Sequence, residues 1–147
     1  MRAVVTRVSS ASVRIDGETV GEIGRGFLVL LGVALEDTEA EALRIADRIC
    51  GLRVFEDENG KMNRNLAAVG GELLIVSQFT LYADTSSRRP GFTKAARPDT
   101  AIPLYEKVIS ECRAKGFRVE TGEFGADMQV ESVNDGPVTI IFDTEAK

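Results

Sequence analysis

The chain reads as an α+β protein: a mostly antiparallel β-sheet or open barrel with two helices packed against it. Three observations predict this. Short strand-like segments fill most of the 147 residues and are separated by hairpin-length turns. Two segments instead repeat apolar residues at helical spacing. The length suits one hydrophobic core, so 1–147 is read as a single domain.

The elements follow in order. Ala11, Val13 and Ile15 alternate with Ser12, Arg14 and Asp16, the pattern of a strand with one buried face. Asp16-Gly17 tolerates the positive φ of a tight hairpin turn, so Glu18–Ile23 returns as its partner. After a turn at Gly24-Arg25-Gly26, Phe27–Leu31 is apolar on both faces and reads as a central strand. Thr38 and Glu41 form a capping box for a first helix, with Ala42, Ile45, Ala46 and Ile49 as its stripe. Gly51 is expected to close that helix in the left-handed conformation. Arg53-Val54-Phe55, a turn at Asp57–Gly60 and the buried strand Leu73–Val76 come next. A second helix starts near Asp99 or Thr100, carries Tyr105, Val108, Ile109 and Cys112 on one face, and ends at Gly116. Strands over Phe117–Phe124, Met128–Val133 and Val138–Phe142 complete the chain.

Composition excludes several chemistries. The chain has no histidine, which removes Ser-His-Asp and Cys-His catalysis and histidine-bearing zinc sites. Cys50 and Cys112 are too few for an all-cysteine zinc site or a disulfide framework, and both fall on or beside apolar stripes as small core residues. The 23 acidic residues show no spaced cluster, so neither a metal nor a cofactor is expected. No apolar run approaches the roughly 20 residues of a membrane span, and the first residues lack a signal-peptide core. A reduced, cytoplasmic protein is expected. The net charge is −5, which repels polyanions, yet Thr85–Pro98 holds Arg88, Arg89, Lys94 and Arg97 and no acid.

Three segments stand out from plain scaffold. Ser77-Gln78-Phe79-Thr80 places polar side chains directly after a buried strand, either as a pocket wall or as a strand leaving the core. Thr80 as a nucleophile needs an adjacent base, and neither a histidine nor a nearby lysine is present. The amides of Phe79 and Thr80 are better candidates, as fixed donors to a developing oxyanion. Asn134-Asp135-Gly136-Pro137-Val138-Thr139 reads as a turn on composition alone. The basic stretch is either a solvated loop or a phosphate-contacting one.

Together the first two segments resemble the signature motifs of the D-aminoacyl-tRNA deacylase family. The resemblance extends over Arg7-Val8, Ala11-Ser12-Val13, Gly32-Val33, Gly60-Lys61-Met62-Asn63, Arg89-Pro90 with Phe92, and Ala126-Asp127-Met128-Gln129-Val130. It implies hydrolysis of the ester joining a D-amino acid to the 3′ end of tRNA, without a cofactor, by a homodimer with sites at the subunit interface. Ser77, Gln78, Phe79 and Thr80 match the pocket segment that carries the chemistry. Gly136-Pro137 matches a Gly-cis-Pro pair that reaches into the partner's pocket, and Met128 is a further expected substrate-binding residue. Arg7 matches an arginine that steadies this pair and contacts the Gln of the other motif. Arg88, Arg89, Lys94 and Arg97 are the expected tRNA contacts.

The resemblance offers two mechanisms, assistance by the 2′-hydroxyl of the terminal adenosine or attack by Thr80. The missing base favours the first. It also implies that a rigid main-chain wall excludes L side chains and spares glycine, so that glycyl-tRNA is cleaved. The competing readings are a non-catalytic tRNA-binding module that uses the basic loop, and an interaction protein whose strand edges pair only to form a dimer.

Overall fold

The computed structural model describes residues 1–145. Its elements are β1 (Arg2–Ile15), β2 (Glu18–Ile23), β3 (Gly26–Gly32), α1 (Glu39–Gly51), β4 (Phe55–Glu56), β5 (Met62–Arg64), β6 (Glu72–Ser77), α2 (Pro98–Ala114), β7 (Val119–Thr121) and β8 (Gln129–Asp143).

β1 is the spine. One edge pairs antiparallel with β8 along most of its length. The other pairs antiparallel with β3 through Arg2–Val8 and with β2 through Ala11–Ile15. Asp16 (φ 50°) and Gly17 (φ 80°) make the β1–β2 turn as the sequence predicts. The sheet is mostly antiparallel as expected, and on its far side two pairs are parallel, β6 with β3 and β7 with β6. Each parallel step follows a long connection, through α1 and then α2, which returns the chain to the same end of the sheet. The result is a mixed sheet. β2 folds over toward β7: a Cβ on Gly21 would lie 2.6 Å from the Thr121 carbonyl oxygen, so only glycine permits this near-closure.

β3 is buried on both faces, as its unbroken apolar run predicts. Phe27, Val29 and Leu31 join the main core under the helices, with Ile45, Ile49, Leu73, Ile75, Val108 and Ile109. Leu28 turns the other way into a smaller cluster with Val8, Ala11, Val13, Ile23, Leu74 and Val76. Phe27 and Phe55 stack at 5.2 Å.

The helices follow their stripes with two corrections at the ends. The capping box forms: Thr38 accepts from the Ala40 amide, and Glu41 accepts from the Thr38 amide at 2.7 Å. Caps of this kind stabilise a helix by about 1 kcal/mol. Gly51 is not left-handed. It is the last helical residue, and the chain leaves through extended Leu52 (φ −62°, ψ 126°) toward Val54. α2 begins at Pro98, one residue before the predicted start, because proline's fixed φ suits the first helical turn. Cys50 and Cys112 are buried free thiols 3.6 Å apart between the two helices, and the contact with Cys50, together with burial, pushes the Cys112 thiol up.

Strand extents differ too. Phe117–Phe124 narrows to Val119–Thr121. The two strands expected before and after Asn134–Pro137 are one, β8. The turn-like residues are an excursion inside a continuous strand.

Candidate active site

The excursion is visible in the register. Val8 pairs with Asn134 and Thr6 with Thr139, so two steps on β1 face five on β8. The surplus residues are pushed out of the ladder as a wide bulge. Asp135, Gly136 and Pro137 are exposed, whereas Val138 is buried and anchors the segment in the main core. The Gly136–Pro137 peptide bond is cis. Gly136 has φ 133°, and a Cβ there would sit 2.9 Å from the Arg7 guanidinium and 3.0 Å from the Val138 amide nitrogen, which makes glycine a steric requirement.

Arg7 lies under the bulge, 6% exposed. Its Nε donates to the Asp135 carbonyl at 2.9 Å, and a terminal nitrogen donates to the Val54 carbonyl at 2.6 Å. The Asp135 carboxylate is 3.8 Å from Nε. A buried guanidinium is tolerable only when its donors are met in this way. Arg7 therefore ties the main chain just before Gly136–Pro137 to the Val54 carbonyl. Within this chain no hydrogen bond joins Arg7 to Gln78 among the described residues. The reason is register: Arg7 pairs with Phe27 and Ser77 with Leu31, four residues further along β3 and on its opposite edge. Four residues amount to about 13 Å.

The other motif follows β6. Ser77 ends the strand, the Gln78 amide donates to the Leu31 carbonyl at 2.8 Å, and Phe79–Tyr82 turns through a short 3-10 segment. Ser77 and Gln78 are half-buried; Phe79 and Thr80 are exposed. The Gln78 side-chain amide donates to Thr80 Oγ1. An amide donor does not remove a proton, and no carboxylate or lysine bonds that hydroxyl among the described residues. The amides of Phe79 and Thr80 open the 3-10 turn and have no partner within it, nor any other among the described residues. They are free donors beside Ser77 and Gln78.

Sequence reasoning missed what holds this turn. Arg2 donates to the Leu81 carbonyl at 2.9 Å, pairs with Asp143 at 2.9 Å, and places its guanidinium 4.4 Å from the Tyr82 ring centroid. The polar–apolar pattern of the first residues gave no sign of it, since its partners are distant in sequence. The Val54 carbonyl was equally invisible, because any residue can supply one.

Met128 is half-buried, packed toward Val13 and Gly122 on the smaller cluster. The basic loop is tied at its base by backbone bonds between Asp84 and Gly91 (2.7 and 3.0 Å). Arg88, Arg89, Lys94 and Arg97 are all exposed, and none is in an ion pair among the described residues. The loop also carries Phe92 against Phe79, ring centroids 5.0 Å apart and edge-on. This joins basic loop and pocket motif into one surface, a proximity their separation in sequence conceals. A concavity of about 770 Å³ between β1, β2 and β8 contains none of these residues. No group of three or more metal-ligating side chains occurs among the described residues, and no helix is long and apolar enough to cross a membrane.

The fold and site define a class. An α+β near-barrel presents free backbone donors without an acid–base triad, which suits hydrolysis of an already activated ester. The comparisons are specific. The family model described as D-Tyr-tRNA(Tyr) deacylase matches residues 4–143. Curated D-aminoacyl-tRNA deacylases from Symbiobacterium thermophilum and Bacillus licheniformis are each 58% identical, covering 99% of this chain and 97% and 100% of theirs. The one from Thermus aquaticus is 56% identical over 100% of this chain and 97% of its own. A solved structure described as a c-Myc DNA unwinding element binding protein superposes with a TM-score of 0.93 at 43% identity, covering 99% of this chain and 100% of that one. The chain belongs to the D-Tyr-tRNA(Tyr) deacylase family and is a hydrolase of the D-aminoacyl-tRNA deacylase class.

Proposed function

We propose that two copies of the chain form each active site, and that the site sorts aminoacyl-tRNA by handedness. One observation carries this reading: in a single chain the Ser77–Thr80 segment and the Gly136–Pro137 bulge stand on different rungs, and the bulge projects outward. A second copy supplies what the first leaves open. The outer edge of β8 supports it, since Val130, Val133 and Ile141 are 39%, 57% and 69% exposed along a strand with no outer partner among the described residues. An unprotected edge with exposed apolar residues favours pairing.

In this reading the Phe79 and Thr80 amides hold the carbonyl oxygen of the ester. The 2′-hydroxyl of the terminal adenosine assists the attack, a role left to the substrate because no carboxylate or lysine bonds the Thr80 hydroxyl among the described residues. The carbonyls of Gly136 and Pro137, with Met128 beside them, occupy the space an L side chain needs. A D side chain points elsewhere, and glycine has none to exclude. Arg88, Arg89, Lys94 and Arg97 contact tRNA phosphates. The chain acts as one domain in the cytoplasm and needs no cofactor.

The test has two arms. Purified protein is given D-tyrosyl-tRNA and L-tyrosyl-tRNA; release of tyrosine from the D ester alone is expected, and equal treatment of both overturns the reading. Next, a protomer impaired in the Gln78–Thr80 segment is mixed with one impaired at Gly136–Pro137. Partial recovery of activity is expected for a shared site, and none for a self-contained one.

A further inference from the structure

We infer that Asn134 is a positioning residue for discrimination between enantiomers, acting through the bulge rather than on the substrate; the inference rests on the proposed function. The bulge has two ends, and each is held by a different device. Its first residue, Asp135, is held through its carbonyl by Arg7 Nε at 2.9 Å. Its last, Val138, is held through its amide, which donates to Asn134 Oδ1 at 3.0 Å. The other side of the Asn134 amide donates to Thr139 Oγ1 at 3.2 Å. Asn134 thus spans the base of the bulge, from the last paired residue before it to the first paired residue after it.

The requirement follows from the ladder. β1 cannot hold the surplus residues by main-chain bonds, because it has only two steps opposite five. Arg7 hydrogen-bonds the leading end, at the Asp135 carbonyl, and its guanidinium lies against Gly136. Burial of the Val138 side chain and the Thr6–Thr139 pair hold the trailing end in place, but without a closing bond at the Val138 amide the main chain between Gly136 and Val138 loses the hydrogen bond that fixes how its carbonyls are turned. A wall that excludes by contact must hold its position to a fraction of an ångström. Asparagine fits because it offers an acceptor and a donor on one short, planar group. Asn134 reads as part of a turn from sequence and Thr139 as part of the strand that follows, yet together they close a bulge.

The experiment measures kcat/KM for D- and L-esters of one amino acid on one tRNA, for wild type, Asn134→Ala, Asn134→Asp and Thr139→Val, with Tm for each. Asn134→Ala loses both bonds and is expected to lower the D-over-L ratio about ten-fold, mainly through faster cleavage of the L ester. Asn134→Asp keeps the acceptor for the Val138 amide and should restore the ratio to within about three-fold of wild type. Thr139→Val frees only the donor and should give a smaller drop. It also carries the test if Asn134→Ala does not fold. A ratio unchanged in Asn134→Ala, or in Thr139→Val in its place, overturns the inference, as does an equal loss on both esters. A wild type with no preference overturns the proposed function itself and this inference with it.

Discussion

The side-chain amide of Gln78 donates to the hydroxyl of Thr80, two residues on, so the hydroxyl is an acceptor in the resting site. A serine or threonine nucleophile is activated by the opposite arrangement, in which a base accepts its proton. Thr80→Val should therefore retain deacylation of a D-aminoacyl-tRNA within about ten-fold, the scale of one missing hydrogen bond. Loss of a true nucleophile costs roughly 10⁴-fold or more. A tRNA ending in 2′-deoxyadenosine should be nearly inert with the same enzyme. Single-turnover assays of the four combinations decide between the two mechanisms, and an inactive Thr80→Val with an active deoxy substrate would reverse our assignment.

Arg7 holds the Asp135 and Val54 carbonyls while almost fully buried. Arg7→Ala leaves both carbonyls without their donor and a cavity between them. Charged hydrogen bonds of this kind contribute about 1.5–3 kcal/mol each. A marked fall in Tm is expected, with activity on D esters down at least about 100-fold. Lysine should not rescue it, because a single ammonium cannot serve two carbonyls in different directions with the guanidinium's planar fork. Near-normal melting and turnover in Arg7→Lys would show that charge alone suffices.

Exclusion by a rigid wall has a signature that attraction lacks. Glycyl-, D-alanyl- and L-alanyl-tRNA differ only at the α-carbon. The expected order of kcat/KM places D-alanyl and glycyl together and L-alanyl far below. An intact glycyl ester under conditions that consume D-alanyl would mean that the site grips the D side chain instead.

The four loop cations make a separable prediction. Converting Arg88, Arg89, Lys94 and Arg97 to alanine should weaken tRNA binding for all sequences alike. The slope of log K against log salt should flatten by up to roughly 0.9 for each phosphate left without its cation, or 0.7 on single strands. Chirality should be untouched, since the four cations are exposed and the loop meets the turn through apolar packing, Phe92 on Phe79 and Ala95 with Tyr82. An unaltered slope would exclude the loop from the tRNA interface.

Stability should fall on the alkaline side. Tyr105 is buried, its hydroxyl donates to the Ile75 carbonyl at 2.9 Å, and burial pushes its phenol up to about 12. The folded state holds this proton more tightly than the unfolded chain, whose phenol titrates near 10. The contribution is complete below about pH 10 and is lost between about 10 and 12 as the unfolded chain ionises first. Tyr105→Phe should cost about 1 kcal/mol at neutral pH. It should also remove part of the alkaline loss, with buried Tyr82, likewise raised, supplying the remainder. Denaturant midpoints across this range test the sign; a variant that loses stability as steeply as wild type contradicts it.

Most of the fold was legible in the sequence because its signals are local. The Phe27–Leu31 run, the Asp16-Gly17 turn, the Thr38–Glu41 box and the two apolar stripes each depend on residues a few positions apart. Hydrophobic burial and capping act at that range. The absence of histidine was equally decisive, since it removed whole classes of chemistry without any geometry. The sequence also marked Ser77–Thr80 and Asn134–Thr139 as unusual, though one of them was written in the letters of an ordinary turn. Only the tertiary structure decided that this turn is a bulge within one long strand, that β6 and β7 run parallel, and that Arg2, Arg7 and the Val54 carbonyl hold the two motifs. These facts depend on register and on partners up to 141 residues apart. No local pattern encodes them, because a carbonyl looks the same in every residue until the fold gives it a neighbour.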